Sequence, residues 1–244
     1  MNHTLSQLVA NVPEPVEAVV LFGSNARGDA DFRSDIDVAI FAHANLPSDL
    51  AEVKHGLSLA IEPSTPINLS VYSIATAEVM ANDGSLFLWH LKSESKPLFL
   101  RNSWYAALLR QLVPYSVTKA CKDLDTFGAA IHDIRVSLRM ANSPLLFEAS
   151  TMHSILRSLG MITSMVDGKP TFRRDEPIRY IRNVMGKRFR ITDPQLGELL
   201  LARHIYARNI PQPIELDMEE CRWIANEIFE MFVFLRDYAK QSVH

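Results

Sequence analysis

Residues 21–41, LFGSNARGDADFRSDIDVAIF, constrain this chain more than any other stretch. An apolar run, Ala18–Phe22, ends at a Gly-Ser pair, Gly23 and Ser24. A polar, Gly-containing loop follows, and a second apolar run then carries Asp35 and Asp37 among Ile36 and Val38. In a strand, residues i and i+2 share a face. The alternation therefore predicts two carboxylates on one side of a rigid element, about 7 Å apart along it, with Ile36 and Val38 turned into a core. Carboxylates held that close repel each other unless a cation joins them. Hard oxygen donors of this kind suit Mg²⁺ or Mn²⁺; Mg²⁺ takes one or two carboxylates and completes its shell with waters and substrate phosphates. Gly23 permits close backbone approach, and the turn's N–H groups and the Ser24 hydroxyl are expected to hold phosphate oxygens. Taken alone, Asp-x-Asp also fits an exposed edge strand with two solvated acids.

The combination is sharper than its parts. Gly-Ser, ten residues, then Asp-x-Asp inside an apolar strand closely resembles the minimal branch of the polymerase-β-like nucleotidyltransferases, whose typical run is G-S-x-A-R-G-x5-S-D-I-D. The matching residues are Gly23, Ser24, Ala26, Arg27, Gly28, Ser34, Asp35, Ile36 and Asp37. The resemblance implies a metal-dependent transfer of a nucleoside monophosphate, AMP by preference, from ATP or another NTP to a hydroxyl. Asp35 and Asp37 would be catalytic and hold the metal. Gly23 and Ser24 would hold the phosphates.

Along the chain, short strands are predicted at Ala18–Phe22, Asp35–Phe41, Ile67–Tyr72 and Lys96–Leu100. Short helices are predicted at Leu5–Ala10, from Ser48 or Asp49 to about Ala60, at Thr76–Ala81 and at Ser85–Leu91. From Pro114 onward the spacing is helical: Ser116–Met140, Leu145–Val166, Asp175–Met185, Asp193–Ala207 and Asp217–Ser242. Asp217 and Glu220 form a capping-box signature. The expected class is α+β: a nucleotidyltransferase head with a short mixed sheet flanked by helices, residues 1–108, then an all-helical bundle domain, residues 109–244.

The 244 residues allow one large or two small domains, and the net charge of −3 supplies no global basic field for gripping a nucleic-acid backbone. No apolar run approaches the roughly 20 residues of a membrane span. The opening segment lacks the pattern of a signal peptide. Cys121 and Cys221 have no C-x-x-C partner, so reduced thiols in a cytoplasmic protein are expected. The eight histidines form no zinc motif. Nucleic acid and membrane are thus disfavoured as partners, and homo-oligomerisation is left open.

One family feature is missing. The resemblance implies a third acid on the neighbouring strand, facing the Asp pair and taking the proton of the attacking hydroxyl. The alternation of Pro66-Ile67-Asn68-Leu69-Ser70-Val71 puts Asn68 at that position. Asn68 offers a carbonyl to a metal but accepts no proton at neutral pH. Either a base comes from elsewhere, with Glu62, Asp125 and Glu148 as candidates, or the chain is a catalytically degenerate nucleotide-binding or interaction protein. Arg27 is a candidate for the triphosphate. Arg174 is another, because Arg173–Pro177 resembles the Ser-Lys-Asp-Glu-Ala run of aminoglycoside adenylyltransferases, with Arg174 at the lysine position. Arg179, Arg182, Lys187, Arg188 and Arg190 form either a solvated helix face or an anion-attracting stretch. The acceptor is expected to be a small-molecule or protein hydroxyl.

Overall fold

The computed structural model describes residues 3–30, 34–61, 67–140, 143–208, 210 and 212–242. They fall into two compact units, Met1–Tyr115 and Ser116–His244.

The first unit runs α1 (His3–Ala10), β1 (Val16–Phe22), α2 (Gly23–Arg27), β2 (Ile36–Ala42), α3 (Pro47–Leu59), β3 (Ile67–Ser73), α4 (Ile74–Asn82), α5 (Leu86–Glu94), β4 (Lys96–Leu100) and α6 (Trp104–Gln111). Among the described residues the sheet has the order β3-β2-β1-β4. It is mixed: β1 pairs antiparallel with β2 and β4, and β2 pairs parallel with β3. Alternate residues build two cores. Val19, Leu21, Ile36, Val38 and Ile40 pack with Leu5 and Leu8 of α1 and Val53 and Leu57 of α3. Ala18, Val20, Phe22, Ala39 and Phe41 pack with α4, α5 and α6 on the other side. Both faces of β1 and β2 are covered, so these strands are apolar almost throughout. Ile36 and Val38 are buried in the core as their spacing predicts.

Three local expectations needed correction. The Gly-Ser pair opens a helical turn, α2, rather than a simple loop. Asp35 stands one residue before β2, because its carbonyl accepts from the Asn25 side chain at 2.8 Å at the strand entrance. The Trp104–Gln111 segment, where no element is predicted, is a helix whose Tyr105 and Leu108 are buried in the first unit. Glu62 and Pro66 lie outside the described residues.

The second unit contains α7 (Val117–Ser137), α8 (Leu145–Val166), α9 (Glu176–Met185), a short 3₁₀ turn (Gly186–Arg188), α10 (Asp193–Arg208) and α11 (Met218–Gln241). Helix α8 is apolar on most sides and packs against α7, α9, α10 and α11, which makes it the central element. Its C-terminal Asp167 accepts hydrogen bonds from Tyr180 of α9 at 2.7 Å and Tyr238 of α11 at 3.0 Å. Asp217 and Glu220 form the capping box that starts α11. No helix of the described residues is long and apolar enough to cross a membrane.

Close helix approach in this unit depends on small residues. A Cβ on Gly160 of α8 would clash with the Pro177 carbonyl oxygen of α9. Gly160→Ala is therefore expected to destabilise the unit by about 1–3 kcal/mol through overpacking. Gly197→Ala, whose methyl meets nothing within 4 Å, is expected to stabilise α10 by up to about 1 kcal/mol. Urea midpoints followed by helical circular dichroism separate the two.

Candidate active site

The site grows from the end of β1. Phe22 packs edge-on against Phe87 and His90, each at 5.6 Å between centroids, and this fixes where the chain leaves the sheet. The next residue, Gly23, has φ of +71°, in the region L side chains rarely adopt. A Cβ there would lie 2.8 Å from Asp37 Oδ2. Glycine thus lets the backbone rest directly against the carboxylate. Helix α2 follows, anchored by the buried Ala26. Gly28, at φ +86°, closes it, with the N–H groups of Gly28 and Asp29 both donating to the Ser24 carbonyl at 2.9 and 3.1 Å.

Pairing register supplies the rest. Phe22 lies opposite Asp37 across β1–β2, and Asp37 lies opposite Asn68 across β2–β3. Asn68 Nδ2 donates to Asp37 Oδ1 at 3.3 Å. Asp37 is thus contacted by the amide on one oxygen and lies nearest Gly23 with the other. Asp35, two residues upstream, is half-buried like Asp37. Gly23, Ser24, Asp35, Asp37 and Asn68 are brought together at the same end of the sheet. Among the described residues no group of three or more His, Cys, Asp or Glu forms a metal cage. Two carboxylates two residues apart fit a divalent ion that shares its shell with phosphates, since Mg²⁺ rarely occupies an all-protein cage.

Arg27, the candidate contact for the triphosphate, is engaged by acids of its own unit. Its guanidinium is largely covered, donating to Glu94 Oε1 at 2.7 Å and lying 3.3 Å from Asp29. Glu94 is also bonded to His90 one turn earlier on α5. Burial alone would raise the Glu94 carboxyl, but His90 and Arg27 together hold it below the usual glutamate range. Burial likewise works against the charge of Arg27, and Glu94 and Asp29 outweigh it. The cluster ties α2 to α5. Sequence reading missed Glu94 and His90: their i,i+4 spacing is visible, but which element they face is not.

Arg174 belongs to the second unit, in the turn before α9, with φ of +35°. Its carbonyl and that of Phe172 accept from Arg157. Of the alternative bases, Asp125 is engaged by Arg236 through two hydrogen bonds, at 2.5 and 3.2 Å. Glu148 is buried, at 4% exposure. The basic stretch is largely committed within its own unit: Arg182 pairs with Asp193, Arg190 pairs with the buried Glu227, and Arg188 lies over Phe234.

Two outcomes follow for this site. Gly23→Ala is expected to push Asp37 out of place and to cost about 1–3 kcal/mol in backbone strain, read as a lower melting midpoint. Glu94→Gln is expected to cost about 1–3 kcal/mol at pH 7 by leaving Arg27 with a weaker partner. A depressed carboxyl stabilises above its unfolded pKa, and that stability is lost as pH falls through the folded value. The gap between E94Q and the parent protein is therefore expected to close as pH drops below about 4, followed by urea titration at several pH values.

Comparison with known proteins agrees with this geometry. Residues 4–102 match the family described as Polymerase beta, Nucleotidyltransferase. No curated protein matches the chain. Among solved structures, spectinomycin adenyltransferase AAD(9) from Enterococcus faecialis, solved with ATP and spectinomycin, is similar over 93% of this chain and 96% of its own. The identity there is 11% and the TM-score 0.52, which shows a shared fold. A nucleotidyltransferase-like protein from Exiguobacterium sibiricum 255-15 is 12% identical over 97% of this chain and 73% of its own, with a TM-score of 0.34. A toxin–antitoxin structure with AMP-PNP is 18% identical over 46% of this chain and 84% of its own, with a TM-score of 0.34. Over residues 4–102, within the first unit, the chain is thus similar to the polymerase beta nucleotidyltransferase family.

Proposed function

We propose that the chain transfers a nucleoside monophosphate, AMP from ATP, to a hydroxyl on a small molecule or a protein. The observation that carries this reading is the placing of Gly23 against Asp37, with Asp37 in register between Phe22 and Asn68. In this reading Gly23 and Ser24 hold the β- and γ-phosphates. Asp35 and Asp37 hold Mg²⁺ or Mn²⁺, whose charge offsets that developing on the triphosphate. The acceptor oxygen bonds to the α-phosphorus, the α–β anhydride bond breaks, and pyrophosphate leaves. The domain's part is positioning and electrostatics. Asn68 orients Asp37 through its amide and takes no proton, so the hydroxyl proton passes to water or to an acid outside this strand. Arg174 is kept as a candidate phosphate contact. A cytoplasmic setting fits the free Cys121 and Cys221.

A second reading has its own footing in Asn68: the head binds nucleotide and does not turn it over. One assay separates the two. ATP, Mg²⁺ and a panel of hydroxyl acceptors are expected to give pyrophosphate release that disappears in Asp35→Ala and Asp37→Ala. Saturable ATP binding with no release under any condition supports the second reading.

Asn68→Asp sharpens the test. It places a third carboxylate beside Asp37, so without metal it is expected to lower the melting midpoint by like-charge repulsion. With Mg²⁺ it is expected to raise the rate of pyrophosphate release about 10²-fold, the usual scale of a positioned general base.

A further inference from the structure

The second unit contains a cavity of about 280 Å³ between α8, α9 and α10. We infer that this cavity is a binding site for a small organic acid, a carboxylate or phosphate monoester on a compact apolar body. The inference does not rest on the nucleotidyl-transfer reading.

Three observations point to such a ligand. The first is His153 of α8, which lines the cavity at 7% exposure. No described residue forms a hydrogen bond with its imidazole. Buried polar groups almost always have a partner, and here the ring borders open space. The second is the lining from α9: Ile178 and Arg179 lie four and three residues before Arg182, so each neighbours it on the helix surface. Arg179 makes no ion pair with a described residue. Arg182 lies 2.6 Å from Asp193 and stacks on Phe189. The third is apolar wall, supplied by Ile178 with Leu196 and Leu200 of α10.

Charge selects the class of ligand. Burial, then Arg157, Arg203 and His204, push His153 down to about 4. At neutral pH it is an uncharged imidazole with one donor and one acceptor, near the guanidinium groups of Arg157 and Arg203. The lining acids, Asp175 and Asp193, balance Arg179 and Arg182 at the wall, so the excess around His153 is positive. An oxyanion meets Arg179 and shares Arg182 with Asp193, while a polar atom of the ligand completes the hydrogen bonding of His153. The volume lies just below the roughly 300–1,000 Å³ typical of small-ligand sites, which limits the occupant to about one ring.

Isothermal titration of the full chain with phenyl phosphate, benzoate and inorganic phosphate tests the inference. Saturable one-site binding is expected for at least one of the two organic acids, and their order says whether phosphate or carboxylate is preferred. Inorganic phosphate is expected to bind about tenfold more weakly, because it leaves the apolar wall uncovered. Arg179→Gln, at an exposed position, is expected to weaken binding about tenfold by removing a charge-assisted contact. Gly197→Phe is expected to abolish binding with the fold intact: Gly197 lines the cavity, and a Cβ there meets nothing within 4 Å. Failure of both organic acids to saturate overturns the inference. So does binding that is unchanged in Gly197→Phe, or inorganic phosphate binding as tightly as either organic acid.

Discussion

The first unit depends on a backbone lying where a side chain cannot. At Gly23 the chain leaves a fully buried strand, turns through a positive φ and rests against the Asp37 carboxylate. Any other residue would place its Cβ 2.8 Å from Asp37 Oδ2 and carry the strain of that φ as well. The sheet around it is built to keep that approach fixed. Phe22 is held by Phe87 and His90, Asp37 is held by register to Phe22 and Asn68, and Asn25 closes the strand entrance on the Asp35 carbonyl. The far side of α2 is tied to α5 by Arg27, Glu94 and His90. Asp37 and the Gly23–Ser24 turn are thus presented by neighbouring elements of one sheet, as positioning chemistry requires.

Much of this was legible in the residues because it rests on short-range rules. The period-two alternation of Asp35–Val38 marked the burial of Ile36 and Val38. The same rule put Asn68 opposite the pair, although only the parallel β2–β3 register brings them together. What escaped were contacts between elements distant in sequence. Arg27 and Glu94 are separated by 67 positions, and no local pattern says that an arginine of α2 answers a glutamate of α5. Helix α6 escaped for another reason. Trp104, Tyr105, Leu108, Leu109 and Leu112 are spread over both sides of this short segment, and the face that is buried is chosen by packing into a core made mostly by the sheet.

The second unit uses its arginines in a way that composition cannot reveal. Arg190 and Arg236 serve acids on neighbouring helices, Arg157 holds backbone carbonyls, and Arg188 covers an aromatic ring. What reads as a basic stretch is mainly mortar between helices. Arg179 differs, since it borders a cavity together with a buried histidine that has no partner among the described residues. Gly160 and Gly128 complete the picture by letting α9 and α11 approach where larger residues would not fit.

The central claim is that Asp35 and Asp37 hold a divalent ion against a triphosphate seated on Gly23 and Ser24. A crystal grown with Mn²⁺ and a non-hydrolysable ATP analogue tests it most directly, through the anomalous signal of the metal. The account predicts a peak at coordination distance, about 2.1–2.2 Å, from carboxylate oxygens of both aspartates, with the phosphates on the Gly23–Ser24 turn. Nucleotide density elsewhere, or a filled site with no metal touching either aspartate, would contradict it.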